Sequence, residues 1–183
     1  AGGDNAPIDD LDLPIGRTRF GRGVLMSARA DAIDRKPATT RYRVLEQFPD
    51  HTLVEAVPLT GRNHQIRVHF AHIGHPLVGD EFYLARGAIR SPRAAVRALR
   101  SGLEDELGEV TADDFDAGEG RHMLHAARLE FAHPIGDSWL SFYAPLPSDF
   151  KERIASVSAG QAVAWDDGSS RSDDPPSPGE PAA

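Results

Sequence analysis

Between Leu59 and Asp80 the chain sets two arginines, four histidines and an aspartate around one short amphipathic segment. A guanidinium such as that of Arg62 or Arg67 offers a planar fork that grips a carboxylate or phosphate through two parallel hydrogen bonds. Histidines beside it could move protons near neutral pH or bind a metal. The spacing of His69, His72 and His75 argues against the metal. Helical sites of the metalloprotease kind place two histidines one turn apart with a glutamate between them. Steps of three splay the last side chain, and Gly74 is placed to stop the helix before His75. A chain without cysteine has no thiolate site either. So dense a polar set on so short an element reads as a site rather than a surface, and its chemistry rests on the arginines.

A helix has to carry this set. Thr60-Gly61 breaks a preceding strand, and Asn63 is placed as the N-cap of a helix running to Ile73. Ile66, Phe70 and Ile73 share a face that should pack on a sheet, while His64, Arg67 and Ala71 share another, so Arg67 projects away from the core. Gly74 suits a left-handed stop, and Pro76 prevents the helix from resuming. Gly61, Gly74 and Gly79 read as turn glycines with positive φ.

Upstream, Ala38–Phe48 alternates Thr40, Tyr42 and Val44 against Arg41, Arg43 and Leu45, a strand with one wet face. Pro49-Asp50 turns it into a returning strand, His51–Leu59, which makes an antiparallel hairpin. Downstream, Ser91-Pro92 opens a second helix with Val96, Leu99 and Leu103 on its weak apolar side. His122–Phe131 and Ser138–Tyr143 read as strands joined around Pro134 and Gly136. Ser148 then caps a short helix containing Phe150 and Ile154.

A chain of 183 residues holds one ordinary domain with a sizeable core. Its net charge of -8 is unevenly placed. Residues 1–12 carry four acids and no base, 101–119 carry eight acids and no base, and 155–183 carry five acids and one arginine. What remains, 13–100 with 120–154, holds nineteen bases against eleven acids, a basic body able to attract phosphates. The organisation expected is a flexible lead-in over 1–12, a folded body over 13–154 with a helical and acidic insertion at 84–120, and a disordered acidic tail over 155–183. No stretch is apolar for long enough to span a bilayer, and no secretory pattern opens the chain. With no cysteine to form disulfides, a cytoplasmic setting is expected.

Six segments in order resemble the RluA/RluD-type pseudouridine synthases, which isomerise uridine in structured RNA. They are Leu13–Arg17, Lys36–Leu45, Leu53–Glu55 with Leu59–Arg62, Gly74–Tyr83, Arg121–Ala126 with Phe131–Pro134, and Ala144–Phe150, and the run Leu59–Asp80 as a whole resembles the family's signature. The resemblance implies an α+β domain, with a mixed, mainly antiparallel sheet flanked by helices and an active cleft across its middle. It implies ribosomal or transfer RNA as partner, a monomer when full-length, no membrane, no metal and no cofactor. It also implies that Arg67, the arginine of the Gln-Ile-Arg step, pairs with a catalytic aspartate. That aspartate sits in an Arg-Leu-Asp-x-x-Thr-Ser-Gly-like motif that this sequence lacks. Leu11-Asp12 is followed by Leu13-Pro14 where Thr-Ser-Gly should begin. The expectation is therefore a C-terminal portion of the catalytic domain that starts at Ala1 rather than Met, is inactive alone, and aggregates through open strand edges.

Without that partner, Arg67 is expected to stand unpaired in the cleft, open to an RNA phosphate. Arg62, His64 and Gln65 are expected to line the same cleft and touch the RNA backbone, or else to form a network that satisfies the helix start. Asp80 and His125 read as structural partners. Tyr42 and Tyr83 could stack on a base, with ordinary packing as the simpler role. Two other functions compete: a non-catalytic RNA-binding module derived from this fold, and a histidine-dependent metal hydrolase.

Overall fold

The computed structural model describes residues 7–18, 25–89, 121–136 and 138–158. They fall into two compact units, 1–47 with 52–123 and 48–51 with 124–183. The segment 90–120, with the expected second helix and most of the acidic insertion, lies outside the described residues, as does 159–183.

The first unit is built on two small antiparallel sheets. One joins β1 (Ile8–Asp12), β5 (Thr39–Gln47) and β6 (Thr52–Pro58) in the order β1-β5-β6. The hairpin expected from the alternating pattern is β5–β6, with Tyr42 opposite Ala56 and Arg43 opposite Glu55. A register shift between Val44 and Glu46 ends the clean alternation. The other sheet joins β2 (Ile15–Arg17), β3 (Met26–Ser27) and β4 (Ile33–Lys36), with β2 in the middle. Every described pairing is antiparallel, and the strands form several short sheets rather than one continuous one.

The lead-in differs from expectation. Residues 8–12 are not loose but pair with β5 along their whole length, Ile8 opposite Arg43 and Asp12 opposite Thr39. An acidic strand finds a basic neighbour here: Arg41 grips Asp10 through Nε at 2.9 Å and Nη2 at 3.2 Å. The Asp-rich pattern gave no apolar period, so its β-character came from the partner strand.

α1 (Gln65–His72) follows β6. It buries Gln65, Val68, His69, Phe70 and Ala71, whereas Ile73 is exposed, so the packed face is rotated from the Ile66–Phe70–Ile73 stripe. Val68 and Ala71 join Ile15, Leu25, Ala38 and Tyr83 in the main apolar cluster. Asn63 is not the cap. His64 holds that place in left-handed backbone (φ 56°, ψ 22°), with no side-chain capping bond. The other end matches expectation in kind. Gly74 (φ 96°) donates to the Ala71 carbonyl at 3.1 Å and His75 to the Phe70 carbonyl at 2.9 Å, the paired bonds of a Schellman stop. Gly79 is also left-handed at φ 73°, but Gly61 has no positive φ. A short 3-10 turn, Ala85–Gly87, follows.

The second unit holds a hairpin, β7 (Arg128–Ala132) with β8 (Trp139–Tyr143), and α2 (Ser148–Val157). β7 begins at Arg128 rather than His122: the Ala127 carbonyl accepts the Ala144 N–H at 2.8 Å at the end of the ladder, and the Met123 N–H bonds to the Val78 carbonyl instead of to β8. The cap of α2 is Pro147, with Ser148 as its first helical residue, and the helix carries Ala155–Val157 that the acidic tail was expected to include. His125 Nε2 lies 2.9 Å from the Ala144 carbonyl, a structural bond. Among the described residues, no helix is long and apolar enough to cross a membrane.

Candidate functional site

The turn from β6 into α1 is held from inside by Gln65. Its Oε1 accepts from Thr60 Oγ1 at 2.7 Å and from the Arg62 N–H at 3.1 Å. Its Nε2 donates to the Thr39 carbonyl at 2.9 Å and to Thr40 Oγ1 at 3.0 Å. Gln65 is buried, so the expected contact with RNA is corrected: this amide ties the turn to β5. Arg62 is half-buried on the turn, its Nε donating to the Pro37 carbonyl at 3.0 Å, and it is not among the residues that line the cleft. His64, fixed in its left-handed backbone, places Nδ1 2.7 Å from the Tyr83 hydroxyl. That hydroxyl also accepts the Met26 N–H at 3.1 Å, which makes Tyr83 a buried structural post rather than a free stacking ring. Tyr42 likewise packs, edge-on to Phe70.

Arg67 is not unpaired. Asp80, brought round by the Gly79 turn, takes its Nε and Nη2 at 2.7 Å each, the two-pronged geometry that suits a guanidinium. Asp80 Oδ1 also accepts the backbone N–H groups of Phe82 and Tyr83, both at 3.0 Å. The Asp80 side chain is 1% exposed and that of Arg67 is 11% exposed. Burial alone would push the Asp80 carboxyl up. The Arg67 fork and the two backbone donors outweigh it and hold the group below its usual range. Below the guanidinium lies the Tyr83 ring, its centroid 4.8 Å from Cζ, with Phe82 at 5.9 Å.

Arg67, backed by Asp80, forms one wall of an open cleft of about 210 Å³, lined by Arg67, Gly79, Glu81, Phe82, Arg121 and His122. One imidazole, His122, lines it; His64 is not among the lining residues but lies close enough to feel the charges of Arg67 and Asp80. Burial lowers the His64 pKa, as does the charge on Arg67, against some help from Asp80. His122 is lowered for the same reasons. Both are therefore neutral near pH 7, donors or acceptors rather than cations. The side of the Arg67 guanidinium opposite Asp80 has no acceptor among the described residues. The cleft can thus receive an anionic or carbonyl oxygen at one prepared donor edge.

The histidine run does not converge. His69 is fully buried with Nε2 2.9 Å from the Leu13 carbonyl, which makes it a core residue. No group of three metal-binding side chains comes together among the described residues. Asp12 lies on β1 and accepts from Thr39 Oγ1 at 3.2 Å, and it is not in the cleft wall. Sequence reasoning missed Arg121 and His122 as cleft residues, although the family-like segment Arg121–Ala126 was the available signal, and it missed Asp80 as the partner of Arg67. The Gly79-Asp80 turn after a helix stop was the available clue.

A family model described as RNA pseudouridylate synthase matches residues 12–72, which include β2, the hairpin and α1. The chain is 40% identical over 132 residues to ribosomal large subunit pseudouridine synthase D of Pasteurella multocida, covering 72% of this chain and 36% of that protein. For the Vibrio cholerae protein of the same name the identity is 42% over 142 residues, covering 78% and 38%. Among solved structures, human RNA Pseudouridylate Synthase Domain Containing 1 superposes with a TM-score of 0.54 at 25% identity, covering 90% of this chain and 58% of that one. The α+β architecture is that of these domains.

The chain belongs to the RluA/RluD-type pseudouridine synthase family. It spans a little over a third of the length of the bacterial relatives it matches.

Proposed function

We propose that this chain supplies the arginine-bearing wall of the active cleft of an RNA pseudouridine synthase acting in the cytoplasm on ribosomal RNA, with transfer RNA as the other candidate substrate. The observation that carries the reading is Arg67: it lies in the family-matched segment, is held rigidly, and keeps one donor edge facing the cleft. In the reaction a uridine leaves its stack, at a cost of a few kcal/mol, and enters the cleft. A carboxylate from an Arg-Leu-Asp-type motif, which this sequence does not contain, attacks the ribose or takes a proton from it. The open edge of Arg67 keeps that carboxylate ionised and oriented. The C1′–N1 bond breaks, the uracil turns and forms a C1′–C5 bond, the C5 proton is lost to solvent and N1 takes one up. His64 and Arg62 stand at the helix start, where Arg62 can reach a backbone phosphate. No metal or organic cofactor enters this scheme.

Tritium release from RNA labelled at uridine C5 tests it. The chain alone should give no release, and a protein joining it to the family's aspartate-bearing half should give turnover that Arg67→Ala abolishes. Full turnover with Arg67→Ala would sink the assignment. Turnover by the chain alone would mean that its nucleophile is one of its own residues. RNA binding without turnover by the joined protein would instead make this a non-catalytic binding module.

A further inference from the structure

Asp80 is buried behind Arg67 and is not among the residues that line the cleft, so it can act there only through Arg67. We infer that Asp80 is a positioning residue: by engaging Nε and Nη2 of Arg67 while anchored to the Phe82 and Tyr83 N–H groups, it aims the opposite edge of the guanidinium at the incoming carboxylate or phosphate. This rests on the reading of the cleft as a synthase site. Two oxygens do two jobs. Oδ1 belongs to the turn and to Nη2, while Oδ2 belongs to Nε alone. An arginine side chain has several rotatable bonds, and a free one would sweep a wide arc. Pinned at Nε, with the Tyr83 ring beneath its plane, it has one orientation. Such an arrangement stabilises a transition state because the donor needs no reorganisation when charge appears.

Asp80→Asn is the selective variant. The amide oxygen can keep the Oδ1 bonds, but its NH2 meets the Nε–H donor to donor, so the pin is lost while the turn is kept. In this chain, nitrogen-15 NMR of the arginine side chains should show Arg67 with slowed rotation about Cζ–N and a protected Nε–H. Asp80→Asn should remove both while the backbone spectrum of α1 persists. In the joined, turnover-competent protein, Asp80→Asn should lower kcat by about 10- to 100-fold and leave KM for RNA within about threefold, with Asp80→Glu recovering part of the loss. A freely rotating Arg67 in the unmutated chain would overturn the inference. So would an unchanged kcat in a folded Asp80→Asn protein, or a loss confined to KM. Should Asp80→Asn not fold, Arg67→Lys keeps the charge without the fork, and unchanged kcat there overturns the inference equally. If Arg67→Ala proves harmless to turnover, the synthase assignment fails, while the NMR result still reports whether Asp80 pins the side chain.

Discussion

Gln65 and Arg67 stand two positions apart on α1, and both bury a polar head, yet they end in opposite conditions. An amide has two lone pairs on oxygen and two donor hydrogens. All four of the Gln65 sites are engaged inside the protein, by Thr60, Arg62, Thr39 and Thr40. A guanidinium has five donor hydrogens, and Asp80 draws on only one edge of Arg67. A network closed on itself fixes a conformation. One left open on the side of a cleft is ready for a ligand. Burial and polarity do not separate the two residues. The count of unmet donors, and where they face, does.

The largest effect expected is on the open side. Arg67→Ala removes the main countercharge of a carboxylate that is 1% exposed, and such a broken pair costs about 3–5 kcal/mol. Urea unfolding measures it, and a loss below about 1 kcal/mol would mean that the pair is solvated rather than buried and two-pronged. The pH dependence has a definite sign. Because the folded Asp80 pKa lies below its unfolded value, its contribution is fully present above the unfolded pKa of about 4 and is lost as pH falls through the folded value. The acid limb of stability should therefore flatten in Asp80→Asn relative to the unmutated chain.

On the closed side, Gln65→Ala strands partners at the helix start. The Arg62 N–H and the buried Thr40 hydroxyl lose their side-chain partner, while the Thr39 carbonyl keeps the Leu59 N–H, at about 1–3 kcal/mol for each group left unsatisfied. A total near 3 kcal/mol is expected, smaller than for Arg67→Ala. If Gln65→Ala instead left stability intact and weakened RNA binding, the contrast drawn between the two residues would be reversed.

These two residues also show what a sequence can and cannot say. The hairpin was legible because β5 and β6 alternate around a Pro-Asp turn, and the helix stop was legible because Gly74 must adopt a backbone that other residues resist. The packed face of α1 was not. Apolar periodicity picked Ile66, Phe70 and Ile73, whereas the buried set includes Gln65 and His69, which are paid for by carbonyls of Thr39 and Leu13 far away in sequence. Long-range hydrogen bonds leave no period. The same applies to β1, whose aspartates look solvated until Arg41 is placed across from them. The cleft was legible as a cluster of residue types, but the pairing of Arg67 with Asp80 required the Gly79 turn to be seen closing.

The smallest effect tests the hinge between the two sides. His64 precedes Gln65 in left-handed backbone, where a Cβ crowds the following carbonyl at a cost of about 1–2 kcal/mol. Its side chain touches the open side through Tyr83, and its carbonyl accepts the Val68 N–H at 2.9 Å to start α1. His64→Ala and His64→Gly both lose the bond to Tyr83, so the difference between them isolates the backbone. Glycine enters this region freely but has more freedom to lose from the unfolded chain, which offsets part of the relief. His64→Gly should thus be the more stable of the two by about 1 kcal/mol, read from paired urea melts. Equal stability, or the reverse order, would show that the turn relaxes out of its left-handed form once the imidazole is gone, and that the Tyr83 bond, rather than the closed Gln65 network, sets the conformation from which Arg67 is presented.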